Sequence, residues 1–247
     1  MKRAERHHLK QDEFLAEVER VTTWVRGNQK NVVNVTLVVA AAALLLGGLY
    51  IYTGRQAESA RTLLGAALDQ YHGTVGARPE GADPSTPHFA TADEKYRTAL
   101  ASFQKVTDQF SSYQAGRQAR YYLGLCHVEL KDFEAAERAL QELRSGKRDL
   151  LYYLGSRSLA AVKVERSDYA SASEIYRTLV DDKDNPLPKD HLLFELAKVE
   201  EKAGHPDEAR LYYDRMVAEH PDSQLRGDAM TRSEALALQA RSRASGG

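Results

Sequence analysis

The sequence of 247 residues lacks the patterns that most catalytic or metal sites need. It has one cysteine, Cys126, so an intramolecular disulfide is excluded, and it contains no CxxC, no HExxH and no glycine-rich phosphate loop. His7 and His8 are adjacent but have no third metal ligand nearby. These absences predict a protein that is not an enzyme and that uses no cofactor and no metal.

Neither sign of charge is in excess. Lysine and arginine total 34, aspartate and glutamate total 35, and the formal net charge is −1 at pH 7. A nucleic-acid partner would call for a basic stripe that this balance does not supply. We therefore expect the partners to be other proteins and a membrane, with no nucleic acid.

Charge is absent altogether from Asn31 to Gly54. Residues 32–52 form an apolar run close to the ~20 residues needed to cross ~30 Å of hydrocarbon. A cleavable signal peptide would begin nearer residue 1, and a buried helix of this length would show a polar face. The run predicts one transmembrane helix over residues 32–52.

The basic residues near the run favour one orientation. Arg20, Arg26 and Lys30 precede it, against Arg55 and Arg61 after it. The positive-inside rule then places the N-terminal tail in the cytoplasm and the larger C-terminal part outside it. In a bacterium this means an inner (plasma) membrane protein, single-pass, with a periplasmic domain.

The tail, residues 1–31, carries a helical pattern of its own. Phe14, Val18, Val21 and Val25 share one face over residues 11–26. Such a short amphipathic helix could lie at the inner membrane surface, or it could be a juxtamembrane helix with no partner. The sequence leaves both readings open.

Beyond the anchor the sequence repeats with a period of 36 or 37 residues. The repeat is marked by four alanines, each followed four and seven residues later by large apolar side chains: Ala99, Ala136, Ala172 and Ala209. Such spacing describes one helix face, on which the alanine lets a neighbouring helix approach closely. In three units a leucine and a small residue lie twelve positions before the alanine: Leu123-Gly124, Leu159-Ala160 and Leu196-Ala197.

These spacings resemble the tetratricopeptide repeat (TPR), a helix-turn-helix unit of 34 residues. The resemblance implies an all-α protein: one N-terminal transmembrane helix, then a TPR-like α-solenoid of about four helix pairs plus a capping helix. The repeat domain covers residues 55–240, with a flexible loop insertion at 73–90. A last helix at 225–240 forms the cap, and residues 241–247 form a disordered tail.

In such solenoids the first helix of each pair lines the concave face. Here those helices are residues 117–129, 153–165 and 190–202. Helical spacing places on their outward faces ten candidate protein-binding residues: Gln118, Tyr121, Leu125, Glu129, Arg157, Val164, His191, Phe194, Lys198 and Lys202. Their mixture of apolar, aromatic and charged side chains suits an extended or partly folded polypeptide. The alternatives are that this face is only solvated or self-packed, or that the loop is the binding surface.

A charged tail, one anchor, the post-anchor helix beginning Gln56-Ala57-Glu58 and degenerate TPR units resemble the bacterial ancillary Sec-translocon subunit family. The resemblance implies a non-enzymatic, membrane-anchored scaffold that assists secreted or envelope proteins at the translocon together with a periplasmic chaperone. The alternative is a structural subunit or assembly factor of a cell-envelope complex, acting through self-association. The resemblance identifies no functional residue.

Overall fold

The computed structural model describes residues 17–78, 81 and 83–245, with side chains up to residue 242. Within these ranges the chain forms ten helices and one pair of short strands. In chain order they are α1 (17–27), α2 (Gln29–Tyr71), β1 (Thr74–Val75), β2 (His88–Phe89), α3 (Ala92–Phe110), α4 (Gln114–Glu129), α5 (Phe133–Arg144), α6 (Leu150–Glu165), α7 (Tyr169–Asp181), α8 (Lys189–Ala203), α9 (Pro206–Glu219) and α10 (Arg226–Ser245). The all-α prediction is confirmed.

The chain divides into two compact units, Met1–Gln56 and Ala57–Gly247. In the first unit, α1 covers most of the helix expected at 11–26, while residues 11–16 and the pair His7-His8 lie outside the described part. The apolar run forms the first part of α2, with an 18-residue window of mean hydropathy 2.3. Its side chains pack against nothing, as Leu44 at 78% exposure shows. Among the described helices, α2 alone is long and apolar enough to cross a membrane.

Helix α2 does not end after the apolar run. The predicted transmembrane helix ends at residue 52, but the structure continues the same helix to Tyr71, for 43 residues in all. No proline interrupts this stretch, and a glycine such as Gly54 costs a helix only about 1 kcal/mol. That cost is too small to force a break.

The second unit confirms the repeat register. The marker alanines Ala99, Ala136, Ala172 and Ala209 are all 0% exposed. They lie on α3, α5, α7 and α9, and the apolar residues four and seven positions later are buried with them. Each helix in the series α3 to α10 packs against its neighbours in that series.

The small residues on the alternate helices are where neighbouring helices come closest. Ala160 and Ala197 are fully buried on α6 and α8. A methyl group built on Gly124 of α4 would lie 2.8 Å from the Leu140 side chain of α5. Glycine is therefore required at this position by packing, because Leu140 has no exposed surface into which it could move.

The turns inside the repeats follow the expected capping chemistry. Asp132 and Asp168 accept hydrogen bonds from the backbone N–H groups of Ala135 and Ser171, and so cap α5 and α7. Pro206 occupies the first turn of α9. These three helices begin where the sequence predicts.

The insertion at 73–90 is more structured at its base than the sequence predicts. Strands β1 and β2 pair in parallel, with Thr74 opposite His88 and Val75 opposite Phe89. The His88 ring bonds the Thr74 hydroxyl at 2.8 Å through Nδ1 and donates from Nε2 to the Gly76 carbonyl. Phe89 is buried against Gly73. The residues that the structure describes between the two strands, 76–78, 81 and 83–87, form no helix and no strand.

At the other end, α10 closes the array on α9. Ala229 is buried in the core and Leu236 packs against it. The helix extends to Ser245, although the sequence predicts a disordered tail from residue 241. Nothing between 240 and 245 is a helix breaker, since the segment holds no glycine and no proline.

Candidate protein-binding surface

The candidate residues lie on the first helix of each pair, α4, α6 and α8. Helix α4 contacts α6 as well as α5, so these two first helices are neighbours in space. We call the outward residues of these three helices, as predicted above, the first-helix face. Its composition changes along the array.

On α4 the predicted residues form a half-buried apolar surface with a charged edge. Gln118, Tyr121 and Leu125 are half-buried, and Glu129 is exposed. Tyr121 also packs against the larger core cluster. This helix therefore presents apolar area that solvent reaches in part.

On α6 the predicted residues are more open. Arg157 is exposed and Val164 is half-buried against the core. Burial raises the pKa of the Tyr176 phenol, the charge of Glu195 raises it further, and the charge of Arg157 opposes both. The Arg157 guanidinium therefore lies near the buried tyrosine of α7.

On α8 one prediction is wrong. His191 and Lys202 are exposed, and Lys198 is half-buried with its ammonium 2.9 Å from the Glu195 carboxylate. Phe194, predicted to face the groove, is only 8% exposed, and its ring meets that of Tyr213 edge-on at 5.5 Å. Because helix α9 covers it, Phe194 contributes to the core and not to an exposed anchor.

A group of aromatic rings beside α4 includes Tyr121 of the predicted site and three tyrosines that the prediction missed. Tyr71, Tyr96, Tyr121 and Tyr122 are half-buried around Phe103, and we call these four tyrosines the tyrosine cluster. The Tyr71 ring lies 5.8 Å from Tyr96 and 5.2 Å from Tyr122, and the Tyr122 ring stacks on Phe103 at 5.3 Å. Tyr121 meets Tyr122 edge-on at 5.5 Å. These rings come from three helices, α2, α3 and α4, so no local sequence pattern predicts that they lie together.

The charge of Glu129 reaches into the tyrosine cluster. Burial raises the pKa of the Tyr71 and Tyr96 phenols, and the negative charge of Glu129 adds to both shifts. The same two causes, in the same order, raise the pKa of the Cys126 thiol to about 12. Cys126 is thus a buried core residue whose thiol stays protonated at neutral pH.

A cleft of about 650 Å³ between α7 and the end of α8 contains a buried carboxylate that the sequence did not reveal. The Glu200 side chain is 1% exposed and accepts hydrogen bonds from the Ser173 hydroxyl and from Arg177 at 2.7 Å. His205 Nδ1 lies 2.9 Å from its other oxygen. Burial alone would raise the pKa of Glu200, but these partners outweigh it and hold that pKa below its ordinary value.

Glu200 belongs to a position that repeats along the array. Three residues after the small residue of each first helix stand His127, Lys163 and Glu200. Lys163 reaches back to Glu137 of the preceding second helix at 2.6 Å, as Glu200 reaches Ser173. His127 has the apolar Leu100 at the matching position of α3, and its Nδ1 lies 3.4 Å from the Asp132 carboxylate instead. We call this series the junction residues.

The described residues include no group of three or more metal-ligating side chains. What the surface offers is contact area, hydrogen-bond partners and charge, spread over several helices. Such an arrangement suits contact with another polypeptide.

A stack of helix pairs with this spacing defines the class of helical-repeat proteins. The sequence model of the tetratricopeptide repeat family matches residues 91–149 and 158–224, which together make up more than half of the chain. The chain belongs to the tetratricopeptide repeat family.

Solved structures show the same fold at low sequence identity. A crystal structure of nearly identical TPR-like repeats, from a Podosopora anserina protein assigned to the kinesin light chains, aligns with a TM-score of 0.55 at 11% identity, covering 75% of this chain and 88% of that one. A form of the same repeats with a single substitution aligns equally well. No curated protein sequence matches the chain. The likeness extends to the fold alone.

Proposed function

We propose that the protein is a membrane-anchored scaffold whose TPR array binds other proteins through the first-helix face. The observation that carries this proposal is the half-buried apolar surface of Tyr121, Leu125 and Val164, bordered by exposed charges. Interfaces of this kind combine a few aromatic or apolar anchors with a charged rim. An array of neighbouring first helices extends such a surface over several repeats.

The anchor in this proposal is residues 32–52. Exposed apolar side chains such as Leu44 and Leu45 would leave water on insertion, at about 25 cal/mol per Å² of apolar surface. The N-terminal tail then lies in the cytoplasm and the repeat domain lies outside it. In a bacterium, that domain works in the periplasm, at the inner membrane.

The finer proposal concerns the client. A single anchor followed by a TPR array resembles the ancillary Sec-translocon subunits, which implies a role beside the translocon and a periplasmic chaperone. We infer that the first-helix face holds extended segments of secreted or envelope proteins as they emerge. The competing function is assembly of an envelope complex through self-association.

Site-specific photo-crosslinking in membranes tests the function. A photoreactive residue is placed either at Leu125 on α4 or at Ala161, an exposed residue four positions after Arg157 on α6. The matched control carries it at the exposed Glu174 on α7. We expect Leu125 and Ala161, and not Glu174, to crosslink to a secretory protein arrested during translocation. Crosslinks from Glu174 alone would overturn the choice of face. Crosslinks that join only two copies of the chain would establish the self-association alternative.

A further inference from the structure

The tyrosine cluster lies beside a carboxylate with no cationic partner. Glu129 is exposed at the end of α4 and forms no ion pair with any residue in the described ranges. The negative charge of Glu129 contributes to the raised pKa of the Tyr71 and Tyr96 phenols, two members of the cluster. An exposed carboxylate next to half-buried rings leaves both its charge and their faces free for a ligand.

One ring of the cluster already carries a cation. The Lys95 ammonium lies 4.7 Å from the centroid of the Tyr96 ring. Tyrosine rings attract cations because the ring face is electronegative, and this contact shows that the site accepts an ammonium. Among the described residues, Lys95 contacts Tyr96 alone of the four rings, and Phe103 covers one face of Tyr122.

Charge is distributed unevenly along the first-helix face. Glu129, Glu165 and Lys202 occupy equivalent positions, five residues after the small residue of α4, α6 and α8. All three are exposed, and none has an ion-pair partner among the described residues. At this position the face is therefore acidic on α4 and α6 and basic on α8, while the exposed Arg157 adds a cation on α6.

Resting on the proposed function, we propose that the tyrosine cluster and Glu129 bind a lysine or arginine side chain of an extended segment from a partner protein. The rings receive the cation and its aliphatic stem, and Glu129, with Glu165 on the next first helix, supplies the opposite charge. Charge complementarity selects a basic segment over an acidic one. It also disfavours nucleic acid, whose phosphates would meet two carboxylates.

Peptide binding to the full-length chain in detergent tests this proposal. Two labelled, unstructured peptides are compared by fluorescence anisotropy, one with a central lysine and one with glutamine in its place. We expect the lysine peptide to bind about three- to thirtyfold more tightly, the range that a cation–π contact provides, and to weaken as salt rises.

Variants of the chain locate the effect. E129Q should remove most of the preference for lysine, while K95M should increase affinity for the lysine peptide because it removes a competing cation. E208Q is the matched control, since Glu208 is an exposed carboxylate on α9, far along the sequence from the cluster. It should bind both peptides as the parent chain does.

The outcomes distinguish failure of this basic-segment proposal from failure of the proposed binding-scaffold function. Equal binding of both peptides, unchanged in E129Q, overturns the basic-segment proposal and leaves the binding scaffold intact. An E129Q effect no larger than that of E208Q overturns it as well. Failure to bind either peptide overturns both proposals. A change in sedimentation of E129Q without peptide shows that the occupant is a second copy, which also overturns the proposal.

Discussion

At the scale of single residues, small side chains decide how closely the helices pack. Ala172 has no exposed surface, and Gly116 lies against the backbone of the turn that precedes α4. Such positions were readable from the sequence where they recur, because Ala99, Ala136, Ala172 and Ala209 keep a fixed spacing. Gly116 follows no repeat, and its role depends on a turn that only the folded chain shows.

Replacing Ala172 with leucine should overpack the junction of α7 with its neighbours. We expect A172L to lower the free energy of unfolding by about 1–3 kcal/mol. Chemical denaturation of the chain in detergent, followed by circular dichroism, measures the change. A170L is the control, because Ala170 lies on the same helix and is exposed. If both variants unfold like the parent, the packing role of Ala172 is refuted.

Replacing Gly116 with alanine should be harmful for a different reason. The added methyl carbon would lie 2.0 Å from the Phe110 carbonyl oxygen, and a backbone atom cannot move aside as a side chain end can. We expect G116A to cost about 1–3 kcal/mol in unfolding free energy. G227A is the matched variant on α10, where nothing lies within 4 Å of the new methyl. It should be neutral or stabilise by up to about 1 kcal/mol, since alanine favours helix.

At the scale of elements, the sequence predicts what is local and misses what is not. Helix starts at Asp132, Asp168 and Pro206 depend on residues next to each other, and all three are correct. The β1–β2 pair joins residues 14 positions apart. Phe194 is buried because α9 folds over it, although its position on α8 alone indicates exposure. Helical spacing identifies a face of a helix but not what later covers it.

The contacts of Glu200 with Ser173, Arg177 and His205 should make the packing of α7 against α8 sensitive to acid. The folded-state pKa of Glu200 lies below its ordinary value of 4.5. Its stabilising contribution is therefore complete above that value and is lost as the pH falls through the lower, folded-state pKa. We expect the unfolding free energy of the parent chain to fall more steeply below about pH 4.5 than that of E200Q.

At neutral pH, E200Q should itself be less stable by about 1–3 kcal/mol, the range for hydrogen bonds to a charged group. Denaturant titrations at pH 7 and at pH 4 measure both effects. E208Q is the control, because Glu208 is exposed. Parallel pH dependence of the parent chain and E200Q would show that other carboxylates cause the acid sensitivity.

At the scale of the whole molecule, the predicted architecture of four helix pairs with a cap holds for the described residues. It could be predicted because the same spacing recurs in four repeats of the chain, so the register does not rest on one weak match. For the candidate binding surface, the sequence predicts which side of each first helix points outward, but not which residues of other helices lie beside it. The tyrosine cluster draws on α2, α3 and α4, and the insertion separates the first of these from the others in sequence.

The proposed topology predicts which side of the membrane each part occupies. Protease added to intact spheroplasts should digest the repeat domain and leave the N-terminal tail protected, since three cations lie just before the apolar run (Arg20, Arg26 and Lys30) and two lie just after it (Arg55 and Arg61). Immunoblots against tags at the two ends read the result. Detergent-lysed spheroplasts serve as the control, in which both tags should be lost. Protection of the C-terminal tag, with loss of the N-terminal one, would reverse the orientation.

The junction residues bear on whether the repeats are interchangeable. Lys163 forms an ion pair with Glu137, whereas Glu200 accepts a hydrogen bond from the Ser173 hydroxyl. Excising the unit that holds α6 and α7 would bring Glu200 against Glu137, two carboxylates in a buried position. Duplicating that unit would instead set a second Lys163 against Ser173, so that this lysine would lose its Glu137 partner and keep only the Asp168 carboxylate of its own unit. The order of the units is thus fixed by polar contacts, and this array cannot grow or shrink by whole repeats as a consensus array can.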